Sequence, residues 1–181
     1  MKVTIAAMVC VLIAVVSGCS PAPKMKAEDY FKTTDSLVAQ NKIEEGLKML
    51  DDLAAAYPKD TAVIIKSWTA AADIYAVHLQ NFPKAIESLQ RIIDTYPETP
   101  QASVSLFKIG FTYETLAHDM EKAKTVYEEF LKKYPQHELA ESVKISLDHL
   151  GESDEELLER ILNKNEKLDD KTTVKVKEKA K

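Results

Sequence analysis

Apolar residues recur along this chain every 38 or 39 positions. One recurring set holds large side chains (Tyr30, Trp68 and Leu106, then Leu37, Tyr75 and Tyr113), and a second begins with a small residue (Gly46, Ala85 and Ala123). Large apolar residues follow the small one by four and by seven positions: Leu50, Leu89 and Tyr127, then Leu53, Ile92 and Phe130. Such spacings place side chains on one helical stripe, so each unit predicts two amphipathic helices.

Each unit closes with a tyrosine followed by proline, at positions 57–58, 96–97 and 134–135. Proline lacks an amide hydrogen and biases the preceding residue away from helical geometry, so this pair predicts the end of the second helix. One helical pair cannot bury its own apolar stripe, and the units must therefore stack. The small residue of the second helix allows the two helices of a unit to approach closely.

These motifs resemble the tetratricopeptide repeat. Trp68 with Ala71-Ala72 and Tyr75, and Leu106 with Ile109-Gly110 and Tyr113, are similar to the first half of that repeat. The second halves match at Ala85, Leu89, Ile92 and Pro97, and at Ala123, Tyr127, Phe130 and Pro135. The first unit departs from the pattern, with Thr33-Thr34 and Gly46. The resemblance implies an all-α, right-handed helical-hairpin solenoid of about three repeats plus C-terminal capping helices.

The expected repeat domain covers residues 27–151, with repeats at about 27–60, 61–99 and 100–136 and a cap at 137–151. The Tyr-Pro joints at 96–102 and 134–140 look like those of periplasmic tetratricopeptide lipoproteins that serve outer-membrane barrel assembly or associate with the Tol system. Within the cap, residues 138–149 are expected to form a helix that ends at Gly151, which suits a left-handed C′ position. Ser153 and Glu156 then predict a capping box for a terminal helix at 152–163.

The N-terminal segment has the order of a secretory signal. Lys2 precedes an apolar run from Val3 to Val16, which is shorter than the ~20 residues of a spanning helix, and Ser17-Gly18-Cys19 follows. A cysteine after two small residues resembles the lipobox of bacterial lipoproteins. The resemblance implies a signal peptide at 1–18, lipid attachment at Cys19 and a tether at 19–26. An ordinary cleaved signal or a single membrane anchor is the alternative.

Composition and charge exclude some classes of function. The chain from Cys19 onward carries 23 basic and 29 acidic residues, which gives no reason to expect nucleic acid as a partner. Cys10 leaves with the signal and Cys19 takes the lipid, so no disulfide is expected within the domain. The tail at 164–181 is Lys-rich and poor in apolar residues, and we expect it to be disordered. Contact with anionic lipid, peptidoglycan or an acidic partner is the alternative for its basic end.

No catalytic constellation is evident. The four histidines are scattered without metal-ligand spacing, and adjacent acidic pairs such as Glu44-Glu45 point in different directions on a helix. The sequence has no Gly-rich phosphate loop and no nucleophile elbow. We therefore expect neither an enzyme nor a cofactor, a metal or a small-molecule substrate.

The first helices of a stacked solenoid are expected to line a groove. Aligning the three units predicts columns of groove-facing residues: Phe31, Thr69 and Phe107; Asp35, Asp73 and Phe111; Val38, Ala76 and Glu114. Exposed aromatics there would anchor a peptide and the carboxylates would select its charge. Packing of Phe107 and Phe111 beneath the cap is the alternative, whereas Trp68, Tyr75 and Tyr113 are expected to be core residues.

The resulting hypothesis is a non-catalytic scaffold or adaptor, anchored by its lipid to the outer membrane and facing the periplasm, that binds a protein or peptide partner. Ser20 favours the outer membrane, because aspartate there is the commoner signal for retention at the inner membrane. Barrel assembly is one suggested context. A self-associating structural lipoprotein is the alternative.

Overall fold

A computed structural model of the chain describes residues 25–153, 155–156 and 158–160. The signal, Cys19, most of the tether and the Lys-rich tail lie outside the described residues. No helix within the described part is long and apolar enough to cross a membrane.

Helices joined by short connections make up the described residues, among which no strand occurs, and this confirms the predicted all-α class. Three hairpins follow one another. Hairpin 1 comprises α1 (Ala27–Ala39) and α2 (Ile43–Ala56), hairpin 2 comprises α3 (Thr61–Val77) and α4 (Phe82–Thr95), and hairpin 3 comprises α5 (Pro100–Phe111) and α6 (Met120–Lys133). A seventh helix, α7 (Ala140–Asp148), packs against α6. It is shorter than the expected cap helix at 138–149.

Local signals in the sequence set most helix ends. Side chains of Asp60, Asn81 and Asp119 accept hydrogen bonds from backbone N–H groups at the starts of α3, α4 and α6, at 3.1, 3.2 and 3.1 Å. Each second helix ends at the residue before the Tyr-Pro tyrosine, as predicted. The predicted capping box is also confirmed, because Ser153 Oγ accepts from Glu156 N–H and Glu156 Oε2 accepts from Ser153 N–H.

The end of α5 differs from the expected regular helix. A π-helical turn continues it over Thr112–Leu116, and the N–H of Ala117 donates to the carbonyl of Thr112 at 2.9 Å. A left-handed residue precedes each second helix: Asn41, Gln80 and His118 in hairpins 1, 2 and 3. It follows Leu37 by four positions in hairpin 1, whereas it follows Tyr75 and Tyr113 by five positions in hairpins 2 and 3. A π turn accommodates one additional residue in a helix, but hairpin 2 has a connection of the same length without a π turn, so connection length alone does not produce the turn in hairpin 3.

The core runs through the stack rather than within each hairpin. One cluster of buried residues extends from α3 to α7 and includes Leu89, Ile92, Tyr127, Phe130 and Val143. A second cluster joins α1, α2 and α3. Each helix therefore buries its apolar stripe against both its hairpin partner and the next hairpin, as stacked repeats require.

Trp68, Tyr75 and Tyr113, which the sequence predicts as core residues, pack against the core, and each ring has a cation over one of its faces. Arg91 lies 4.3 Å from the ring centroid of Trp68, Lys84 lies 5.2 Å from that of Tyr75, and Lys122 lies 5.4 Å from that of Tyr113. The three side chains are half-buried. Because the cation comes from the second helix of the same hairpin in each case, the contacts add to the packing of that hairpin.

Candidate functional site

The predicted groove residues lie on α1, α3, α5 and the π turn, and two contacts connect the three helices across the stack. Lys66 Nζ of α3 lies 4.2 Å from the ring centroid of Phe31 on α1. Lys108 Nζ of α5 donates to Asp73 Oδ1 of α3 at 2.6 Å. Side chains of α1, α3 and α5 therefore form one surface, which we call the first-helix surface. The sequence analysis did not include either lysine.

The hairpin 1 and hairpin 2 part of the first-helix surface is polar. Asp35 and Asp73 are exposed, and the Asp73 carboxylate is paired with Lys108. Thr69 directs its hydroxyl back to the carbonyl of Ile65 at 2.9 Å, which satisfies that hydroxyl within α3. Phe31 is half-buried beneath Lys66. Contacts with a ligand in this part would come mainly from charged groups.

The two phenylalanines of α5 have different environments. The Phe107 ring packs against Tyr127 and Phe130 of α6, with centroid distances of 6.2 and 6.4 Å, and lies half-buried against the core cluster. Phe111 lies against Phe107 at 6.3 Å but keeps 47% of its surface exposed. Phe107 therefore supports Phe111 from below, and the alternative that both rings are covered by the cap does not hold for Phe111.

Two further apolar side chains, Val104 and Ile145, are exposed at positions of the repeat related to those of Phe107 and Phe111. Val104, on the Phe107–Phe111 stripe of α5, is 39% exposed, and Ile145 of α7 is 53% exposed. Ile145 lies 38 residues after Phe107, so it occupies the same position in the next helix of the stack. The repeat spacing could have identified Ile145 if the alignment had been extended into the cap. We call Val104, Phe107, Phe111 and Ile145 the apolar patch.

The third predicted column faces the hairpin interior. Ala76 is buried, and Val38 lies against the Gly46 position of α2. The carboxylate of Glu114 accepts a hydrogen bond from the Tyr127 hydroxyl of α6 at 2.6 Å. Burial, and then this bond to Glu114, raise the pKa of the Tyr127 hydroxyl above its ordinary value. Glu114 therefore connects the π turn to α6, which corrects its predicted role as a free groove carboxylate.

The four histidines of the described part show no shared site. His78 and His118 are exposed. His137 bridges Ser103 Oγ, at 3.0 Å, and the N–H of Leu139, at 3.1 Å, in the joint before α7. His149 contacts Glu152 at 3.1 Å. No group of three potential metal ligands occurs among the described residues.

Comparison with known families identifies the repeat. The tetratricopeptide repeat model matches residues 68–99 and 104–137. These two ranges begin within α3 and α5 and run past the ends of α4 and α6, so they cover most of hairpins 2 and 3. Hairpin 1, which carries the departures at Thr33-Thr34 and Gly46, lies outside the match. No curated protein matches the chain. Residues 68–99 and 104–137 thus match the tetratricopeptide repeat, which is typically a module for protein interaction.

Proposed function

Because this chain contains tetratricopeptide repeats, we propose that it is a non-catalytic adaptor that binds a protein segment on its first-helix surface. The observation that carries the proposal is Phe111, a large aromatic ring that is 47% exposed at the end of α5, where it packs against the half-buried Phe107. Exposed aromatics on a rigid support are typical anchors of protein interfaces. Val104 and Ile145 are also exposed, at related positions of the repeat.

The polar part of the same surface would orient the bound segment. Asp35 and Asp73 lie on the first helices of the two preceding hairpins, and Lys108 of α5 pairs with Asp73. A ligand with an apolar anchor at one end and charged or amide groups at the other would match this order. Because exposed ion pairs contribute little to affinity, about 0–1 kcal/mol each, their role would be selection and the patch would supply most of the binding energy.

The proposal includes attachment of the domain to the outer membrane through a lipid on Cys19, with the domain in the periplasm. Its support is the sequence of residues 1–20, namely the apolar run, the Ser17-Gly18-Cys19 motif and Ser20. Lipid attachment would raise the local concentration of the domain at one membrane, so that a weak contact at the patch becomes effective. Participation in outer-membrane protein assembly is the cellular context we propose. Mass spectrometry of the mature chain beside Cys19→Ala tests the anchor, and an unmodified wild-type cysteine would contradict it.

Site-specific substitution tests the binding surface. Phe111→Ser removes the exposed ring, and Leu79→Ser is a matched control because Leu79 is 37% exposed in the loop between α3 and α4. We expect photo-crosslinking in the native cell envelope to lose its partner with Phe111→Ser and to retain it with Leu79→Ser, at equal melting temperatures. Equal crosslinking by the two variants would contradict the proposed site.

Self-association is the second candidate, and exposed Ile145 and Leu158 near the C-terminal end of the stack favour it. Light scattering after size-exclusion chromatography separates the two. A molar mass that rises with concentration and falls with Ile145→Ser supports self-association, whereas a constant monomer supports the adaptor.

A further inference from the structure

A cleft lies apart from the first-helix surface, between α4, the π turn and the start of α6. It has a volume of about 650 Å³. Its apolar lining comes from Phe82, Pro83, Ile86, Tyr113 and Ala117. The corresponding cleft one hairpin earlier, which Trp68 and Tyr75 line, has only about 220 Å³. The larger cleft is therefore the one with room for several side chains.

The polar lining of the larger cleft is net negative. Three carboxylates, Glu87, Asp94 and Asp119, and two cations, Arg91 and Lys122, contribute to it. Lys122 is already paired with Asp119 at 2.7 Å, and Arg91 lies over the Trp68 ring. Neither Glu87 nor Asp94 forms an ion pair with another side chain in the described part of the chain. An occupant with apolar side chains and positive charges would complement this cleft.

The described chain ends close to this cleft. A Cβ atom at Gly151 would lie 3.9 Å from Met120 Cγ at the start of α6, next to the cleft residues Asp119 and Lys122. Arg160, the last described residue, bonds to Glu152 at 3.2 Å. The chain after Arg160 therefore starts from the α6 side of the cleft.

We propose that residues 171–181 of the same chain bind in this cleft. That segment contains five lysines and one glutamate, and Val174 and Val176 alternate with Lys175 and Lys177. Residues 25–160, in contrast, carry 15 basic and 25 acidic residues. The segment thus supplies apolar side chains for the apolar lining of the cleft and positive charge for its net negative polar lining.

The connection to the segment is long enough. Ten residues lie between Arg160 and Lys171, and the eleven steps from one to the other span up to ~36 Å when the chain is extended. A binding segment on such a short connection has an effective concentration on the order of millimolar, so even weak contacts would keep the cleft occupied. A cationic segment of a partner would then have to displace it. This second site is independent of the proposed use of Phe111.

Photo-crosslinking within the full-length chain tests the proposal. With p-benzoylphenylalanine in place of Val176, we expect adducts on residues 82–94 and 113–122, the range of the cleft lining. The double change Glu87→Lys and Asp94→Lys should reduce adduct yield about tenfold, because two exposed attractive contacts become repulsive. The matched control, Glu44→Lys with Glu128→Lys, reverses two exposed acidic residues that do not line the cleft and should leave the yield unchanged.

Melting temperatures of all variants verify folding, and an equal mixture of ¹⁵N-labelled and unlabelled chains identifies which molecule provides the segment. Adducts within single isotopic species support the proposal. Adducts that join labelled to unlabelled chains would refute it in favour of a second copy. Adducts spread over all exposed helices, or equally reduced by both double variants, would also refute it.

Discussion

Gly110→Ala is the most informative stability test of this fold. A Cβ atom at Gly110 would lie 2.5 and 2.6 Å from Cε1 and Cδ1 of the Tyr127 ring. Ordinary carbon contacts are about 3.5–4.0 Å, so the ring would have to move by about 1 Å. Tyr127 is fully buried, with Phe107 against its ring and its hydroxyl bonded to Glu114. The ring therefore has no free space in which to move.

The expected magnitude follows from three contributions. Overpacking of a core costs about 1–3 kcal/mol, and loss of the hydrogen bond to the Glu114 carboxylate costs about 1.5–3 kcal/mol. Alanine in place of glycine within a helix returns about 1 kcal/mol. We expect Gly110→Ala to lower the free energy of unfolding by about 1.5–5 kcal/mol, measured by urea denaturation with circular dichroism.

Gly46→Ala is the matched control, since Gly46 also lies within a helix. Its Cβ would lie 3.2 Å from the terminal methyl Cγ2 of Val38, which can shift by a few tenths of an ångström. The helix-propensity gain of up to about 1 kcal/mol should then dominate, and the variant should be neutral or more stable. If Gly110→Ala stabilised the protein as much as Gly46→Ala does, the argument from Tyr127 would be wrong.

A double variant isolates the contact itself. Leucine occupies the Tyr127 position in the other hairpins, as Leu50 and Leu89. Tyr127→Leu leaves a cavity, and the methyl group of Gly110→Ala would partly fill it. The two changes together should therefore destabilise the chain by at least about 1 kcal/mol less than the sum of the single changes. Additive effects would show that the two positions do not interact.

Three further predictions concern single positions, each measured by urea denaturation. Thr34 is buried and its hydroxyl has no hydrogen-bond partner among the described residues. Thr34→Val should therefore raise the free energy of unfolding by about 1 kcal/mol. A decrease of about 1 kcal/mol would contradict the inference that this hydroxyl is buried and unpaired. His118 and Asn41 have φ angles of 53° and 60°, in the left-handed region that favours glycine. His118→Gly should stabilise the fold by up to about 1 kcal/mol, and Asn41→Gly should stabilise it by less, because asparagine tolerates left-handed geometry better than histidine does. Equal effects of the two substitutions would contradict this difference. The pKa of the Tyr127 hydroxyl is raised above its ordinary value of 10.0, so the unfolded chain loses this proton at a lower pH than the folded chain does. The free energy of unfolding should therefore fall as the pH rises above 10, and it should fall less steeply in Tyr127→Phe. Identical pH profiles of the two proteins would count against the raised pKa.

The candidate site was only partly predictable from the sequence. Phe111 was predicted either to face the groove or to pack beneath the cap, and it is exposed, whereas Phe107, four residues earlier on the same stripe, is half-buried against the core. Periodicity places both rings on one side of α5, but their exposure depends on where α6 crosses that side. The lysines that contact Phe31 and Asp73 were missed because no pattern within one helix indicates a contact with the next hairpin.

What the sequence alone determined is the repeated hairpin. Helical stripes, N-capping side chains and Tyr-Pro stops act over a few residues, so their outcome can be derived from the order of residues alone. The tertiary structure decided the pairing of Glu114 with Tyr127, the tight contact at Gly110 and the cleft beside α6. These features depend on how closely neighbouring helices approach, and that distance is set jointly by side chains from separate hairpins.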